Sequence, residues 1–266
     1  SVTFTGSAND TEDGDVTAGL SWSSSLDGSI GSGGSFSTTG LSEGTHTVTA
    51  SVTDSGSLTG SAVRTVTINP TGGTPGDDAF TSRGAEDGIV VESGESRETG
   101  GSINSSRNTI VVGDNDRDKQ FIAIVSFDTS TLPAGAAVLS AKLRLKRNSV
   151  AGTNPFETHG AALVDVQTGS FSGDMALQSS DFEASATAVA AATLSNAVSD
   201  GDWSEGVLNA AGVAAINRAG ITQLRIRFTL DDNDDLSRDI IRYFSGNDGN
   251  PDHHPQLLIT TNTGGG

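Results

Sequence analysis

The stretch THTVTASVTD, residues 45–54, alternates without a break. Val48, Ala50 and Val52 fall on one side of an extended chain, and Thr47, Thr49, Ser51 and Thr53 on the other. A side-chain period of two, with hydroxyls on the wet side, describes a half-buried antiparallel strand. Neighbouring stretches repeat the pattern. SVTFTGSA (1–8) aligns Val2 with Phe4, LSWSSS (20–25) aligns Leu20 with Trp22, and AVRTVTINP (62–70) aligns Val66 with Ile68. Turn pairs at Asp13-Gly14, Asp27-Gly28, Gly33-Gly34, Glu43-Gly44 and Ser55-Gly56 separate them. Residues 1–69 therefore predict a small β-sandwich.

The Pro/Gly-rich NPTGGTPGDD (69–78) carries no apolar residue and reads as a linker, placed at 70–76. A second domain is expected over 77–262, with 263–266 as a tail or a further linker. Its strand candidates are GIVVES (88–93), NTIVVG (108–113), FIAIVSFD (121–128), AVLSAKLRLKR (137–147) and GAALVDVQTG (160–169). ATAVAAATLS (186–195), TQLRIRFTL (222–230), IIRYFSG (240–246) and PQLLITTN (255–262) complete them. One stretch differs. In SEGVLNAAGVAAINRAG (204–220), Leu208, Ala211, Gly212, Ala215 and Ile216 recur at helical spacing, with Ser204 as N-cap and Gly220 as the stop. The chain thus predicts an all-β fold of two β-sandwich domains, an Ig-like one and a larger jelly-roll-like one with one short helix.

Composition narrows the function classes. The 266 residues carry 33 Asp and Glu against 15 Lys and Arg, a formal charge of -18. Phosphate neutralisation needs clustered cations, so nucleic-acid binding is not expected. There is no Cys, which excludes disulfides and thiolate metal sites. No apolar run approaches the roughly 18 residues of a membrane-spanning helix. The first residue is Ser1 rather than Met, so the chain reads as a piece of something longer.

Residues 1–69 resemble bacterial immunoglobulin-like surface repeats of the polycystic-kidney-disease and cadherin-like kind. The resemblance rests on FTGSANDTEDGDVTAGLSWSS, LSEGTHTVTASVTDSGSLTGSA and TVTI. In such repeats the SVTFTGSA element is the second strand, and here none precedes it. The expectation is that the first strand lies upstream, or comes from another subunit by edge pairing.

Most of 77–262 resembles the DNRLRE-type β-sandwich domain of secreted bacterial and archaeal proteins, a group related to family 96 carbohydrate-binding modules. The matching residues are Phe127-Asp128, Leu132-Pro133, Gly135, then Ala141, Leu143, Arg144 and Leu145, and a last strand opened by Pro255. The resemblance implies a non-catalytic appendage of a polysaccharide lyase or a large surface protein, secreted or on a prokaryotic cell surface.

Two acidic loops share one spacing. GDNDRD gives Asp114, Asp116 and Asp118, and DDNDD gives Asp231, Asn233 and Asp235. Calcium takes six to eight oxygens, and a curling turn presents alternate side chains inward. Neither loop is an EF-hand, since Val125 and Arg242 stand where a bidentate Glu would. Carboxylates about 4 Å apart repel by about 4 kcal/mol at an effective dielectric of 20. Bound Ca2+, shared or separate, is one compensation; a solvated turn paired to Arg117 or Arg238 is the other. NDTEDGD (9–15) is a weaker calcium candidate, and Asp248, Asp252, His253 and His254 a weak transition-metal one.

Lys142, Arg144 and Lys146 alternate with Leu143 and Leu145, and Arg225 and Arg227 with Leu224, Ile226 and Phe228. If those strands share a sheet, the cations form one stripe for an acidic polysaccharide, with Trp203 as a stacking surface. Edge protection or pairing with surface acids is the alternative for the cations, and a core or helix-entry role the favoured one for Trp203. No nucleophile, zinc or phosphate-loop motif occurs, and the acids sit in Asn- and Gly-rich loops, so an enzyme is not expected. The leading expectation is an extracellular adhesion or carbohydrate-binding module. The next is a structural subunit of a filament or stalk whose copies exchange strands, and the last a glycan-active enzyme.

Overall fold

The structure is a computed structural model that describes residues 2–42, 44–68, 76–133 and 135–262. Most of the expected linker and the whole expected tail lie outside these residues. The chain divides into two compact units, Ser1–Thr71 and Gly72–Gly266.

The first unit contains β1 (Val2–Thr5), β2 (Asn9–Asp10), β3 (Gly14–Asp15), β4 (Ser21–Ser24), β5 (Gly28–Ser32), β6 (Ser35–Thr38), β7 (Gly44–Thr53) and β8 (Thr59–Ile68). One sheet runs β5-β4-β7-β8, and β1 pairs with β6 opposite. Phe4, Leu20, Trp22 and Val48 are buried between them. The Trp22 indole donates to the Gly33 carbonyl at 2.9 Å, which satisfies the one polar atom of a buried ring. The alternation of residues 45–53 is realised, with His46 and Val48 buried and Thr45 and Thr47 exposed. β8 departs from half-burial: every residue from 59 to 65 is exposed, and among the described residues no strand lies beyond its outer edge.

The second unit contains β9 (Gly76–Thr81), β10 (Gly88–Glu92), β11 (Gly100–Asn104), β12 (Thr109–Asp114), β13 (Gln120–Asp128), β14 (Val138–Ala151) and β15 (Ala162–Thr168). It continues with β16 (Ala188–Thr193), β17 (Trp203–Val207), β18 (Ile221–Phe228), β19 (Ile240–Phe244) and β20 (Gln256–Thr261). The strands run in the order β16-β15-β18-β13-β12-β19-β14-β20-β9, with β10, β11 and β17 branching off. β14 turns the sheet on itself. It pairs with β20 over 138–144, with β17 over 142–146 and with β19 over 147–151, shifting register between Arg147 and Ser149. The curled sheet is a sandwich. Leu143, Leu145, Leu257 and Ile259 from one layer meet Val125, Phe127, Leu224 and Ile226 from the other, all fully buried. Each such side chain contributes about 1.5–3 kcal/mol by leaving water.

The helix differs from the sequence expectation. Residues 203–207 form β17, where Ser204 and Gly206 face inward, and Ser204 Oγ lies 3.1 Å from the Tyr243 hydroxyl. The helix itself is α2, Ala210–Ala214, capped by Asn209, whose side chain accepts the Gly212 N–H. A second short helix, Pro155–Thr158 (α1), is capped by Asn154 in the same way.

Candidate binding sites

The two acidic loops of the second unit come together. Asp118 Oδ1 accepts the Leu236 N–H at 2.9 Å, and Asp114 Oδ1 accepts the Asp239 N–H at 3.0 Å. Glycines permit the approach. Gly113 and Gly152 have φ of +120° and +80°, and a Cβ on either would strike the backbone carbonyl of Asp239 or Arg238. Asp114, Asp118 and Asp239 are buried, Asp231 and Asn233 half-buried, and Asp116 and Asp235 exposed. Backbone amides take up part of the repulsion: Asp232 accepts the Asp234 N–H, and Asp235 the Ser237 N–H. Arg117 and Arg238 form no ion pair with these acids. Burial, followed by the charges of Asp231, Asp234 and Asp118, pushes Asp232 up to about 6. Asp114 Oδ2, His159 Nε2 and Asn233 Oδ1 are buried without a hydrogen-bond partner, and His159 Nε2 lies 3.4 Å from Asp114 Oδ1. Among the described residues no three His, Asp or Glu side chains converge closely enough to hold a metal ion.

The other acidic candidates serve as turn fasteners. Asp10 accepts the Glu12 and Asp13 N–H groups, and Asp13 accepts the Ser55 N–H and hydroxyl. His253 Nδ1 is 2.9 Å from the Asp248 carboxylate, and His254 Nε2 is 2.8 Å from the Asp248 carbonyl.

The single cationic stripe does not form, because β14 and β18 are not neighbours. Arg225 and Arg227 lie on the other layer and share Asp165. Arg225 is only 7 % exposed: the segment 171–184 covers it, and its guanidinium donates to the carbonyls of Asp181, Phe182 and Ala184. Its role is to tie that cover to the sheet. Lys142, Arg144 and Lys146 do share a face with Trp203, which pairs across from Lys146. Glu205 pairs with both Lys142 at 3.0 Å and Arg144 at 2.6 Å. The Arg144 guanidinium lies 4.3 Å from the Trp203 ring centre and the Lys146 amine 5.5 Å from it. Lys146 forms no ion pair among the described residues.

A cleft that sequence reasoning missed lies beside the acidic loops. Ile89, Val91, Val111, Phe121 and Ile240 form its floor on the outer face of β10, β13, β12 and β19, and it encloses about 550 Å³. Arg107, Arg238 and Arg242 line it, with Asn104 and Asn115. Burial, then the charges of Arg238 and Arg107, lowers the Arg242 pKa from its ordinary value. The one sequence signal was the alternation of IIRYF. It turns Ile241 and Tyr243 into the main core and leaves Ile240 and Arg242 on the opposite face.

In the first unit, a groove of about 790 Å³ opens between β1 and β8. Val2, Phe4, Ala50, Val52, Ala62 and Val66 line it, and Arg64 stands among them. Among the described residues β1 pairs only with β6 and β8 only with β7, so an unpaired strand edge lies along each side.

The sequence matches no family model and no curated protein. Among solved structures the chain is similar to a carbohydrate-binding module described in a study of promiscuous specificity in the β-sandwich superfamily. That match has 11% identity and a TM-score of 0.25, over 91% of this chain and 82% of the other. It is also similar to the CBM51-2 and INT domains of Clostridium perfringens ZmpB, solved with GlcNAc, at 13% identity and a TM-score of 0.21, over 95% of this chain and 43% of that one. No described helix is long and apolar enough to cross a membrane.

Proposed function

We propose that the protein is a non-catalytic extracellular module that binds an acidic polysaccharide. The observation that carries this reading is the face shared by Lys142, Arg144, Lys146 and Trp203. On a chain of net charge -18, three cations there face one carboxylate, Glu205, and Lys146 has none of its own. Such a face offers charge to a uronate or sulfate and ring surface to a sugar, and Arg144 can fork onto a carboxylate. Affinity electrophoresis through an embedded polyuronate tests it. Retardation should occur, neutral glucans should give none, and Lys146→Ala with Trp203→Ala should weaken the effect several-fold. Equal migration of wild type and double variant would overturn it.

A second reading is favoured by the groove of the first unit. A strand donated by a neighbouring subunit would pair with an open edge and cover the half-buried valines. The protein would then be a structural subunit of a filament or stalk. Ordered polymers in micrographs of the native protein support this, and a strictly monomeric native protein excludes it.

Calcium is proposed for the junction of the acidic loops. The support is the raised pKa of Asp232, caused by burial and then by the charges of Asp231, Asp234 and Asp118, and the two orphaned oxygens, Asp114 Oδ2 and Asn233 Oδ1. Asp231, Asn233, Asp235, Asp114, Asp116 and Asp118 are the oxygen donors at hand, and the loops would have to tighten to coordinate. A melting temperature that rises with calcium and falls with chelator supports this; an unmoved one removes it.

A further inference from the structure

The cleft over Val111 and Phe121 sets unused donors around an apolar floor. Arg83, Arg144, Arg147, Arg225 and Arg227 each pair with a carboxylate. Among the described residues the guanidinium groups of Arg107, Arg238 and Arg242 pair with none and donate no hydrogen bond, although the chain has 33 acidic residues. Asp116 stands at the same rim and reaches none of the three. The two amides are poised likewise. Asn104 Oδ1 accepts from Ser106, and Asn115 Oδ1 accepts from Arg117, so each turn consumes the oxygen and leaves the NH2 free. Three cations held together without a counter-ion repel one another, and an anion would relieve that. The floor adds a second requirement. A bare inorganic anion makes no use of the apolar floor, whereas a pyranose ring presents a C–H face to half-buried Val91 and Phe121 and hydroxyl oxygens to the amides.

We infer that this cleft is a second carbohydrate site, and that it takes a carboxylate-bearing sugar, a hexuronic acid unit, with the carboxylate among Arg107, Arg238 and Arg242 and the ring on the floor. The volume of about 550 Å³ lies within the usual range for small-ligand sites. The inference rests on the acidic-polysaccharide reading for its ligand, but not on the Lys146–Trp203 face.

Titration calorimetry of the whole chain with free glucuronate, glucose and sulfate tests it. Glucuronate should bind saturably. Glucose should bind roughly tenfold more weakly or not at all, for want of the charged hydrogen bonds, and sulfate should also bind more weakly, for want of the floor. Arg107→Ala, in an exposed turn, and Arg242→Gln should each cut glucuronate affinity by roughly tenfold. Both losses should persist in the Lys146→Ala, Trp203→Ala background, which disables the other face. Glucuronate binding that survives both arginine variants in that background overturns the site, as does sulfate binding there as tight as glucuronate. Absent glucuronate binding with intact polymer retardation overturns this site alone; glucuronate binding without polymer retardation overturns the proposed function and leaves the site.

Discussion

Asp165 holds both arginines of β18. Its Oδ2 lies 2.9 Å from Arg225 Nη2 and 3.1 Å from Arg227 Nε, and the carboxylate is fully buried. Burial pushes its pKa up, but hydrogen bonds from Arg227 and the Ala190 N–H, and the two arginine charges, outweigh it and hold the pKa below the ordinary value. Stability from this group is therefore present above the ordinary pKa and lost as pH falls through the lower, folded-state one. Asp165→Ala would strand Arg225 under the 171–184 cover, and breaking a buried pair this way costs about 3–5 kcal/mol. Urea unfolding at pH 7 measures it; a loss under about 1 kcal/mol would show that the carbonyls around Arg225 suffice alone.

Asp232 has the opposite sign. Its pKa of about 6 lies above the ordinary value of 3.8. Any stability from this group is present below pH 3.8 and lost as pH rises towards 6. Asp232→Asn should therefore raise the melting temperature at pH 7 and change it little at pH 3.5. The difference between variant and wild type isolates this group from the other acids. A difference that is flat with pH would show that Asp232 titrates normally.

Gly152 sets how closely the acidic loop docks. It has φ +80° and faces the Arg238 carbonyl, so Ala there combines left-handed backbone strain of roughly 1–2 kcal/mol with a clash. Gly152→Ala should destabilise the protein by at least that amount. Because Arg238 follows the loop into the cleft, the same variant should weaken glucuronate binding, which thermal melts and calorimetry read separately.

How much of this was written in the sequence depends on distance along the chain. Strand existence was legible where a period of two ran for several residues, as in THTVT, and where a short apolar run stood between turns, as in TIVVG and QFIAIVSFD, because both signals are local. β17 was misread. WSEGV also alternates, with Ser204 and Gly206 inward, but Ser204 followed by a helical apolar pattern mimics an N-cap. β5, β9 and β11 were too rich in Gly and polar residues to signal a strand. For the sites, the spacing of the aspartates was visible, yet the register that stacks Asp118 on Leu236 was not. Arg107 and Arg242 meet only because β12 pairs with β19 and sets Val111 opposite Arg242. No local motif encodes that meeting. The joint stripe failed for the same reason: alternation gives the face of a strand but not its neighbour.

Glu205 allows a test by gain rather than loss. It restrains Lys142 and Arg144 together from across the strand pair and is itself held below its ordinary pKa: burial raises it, but the hydrogen bond and charge of Lys142 and then of Arg144 outweigh that. Both cations are about a quarter to a third exposed, so freeing them costs little in desolvation. Glu205→Gln keeps the shape and removes the one carboxylate that, among the described residues, pairs with the cations of this face. If the face binds a polyanion, the variant should be retarded more strongly by a polyuronate gel. The gain should shrink as ionic strength rises, since exposed charges are screened within about 8 Å at physiological salt. If the face is only a stabilised sheet surface, Glu205→Gln should lower stability slightly and leave retardation where it was. Electrophoresis at two salt concentrations, read beside a thermal melt, decides between the two outcomes.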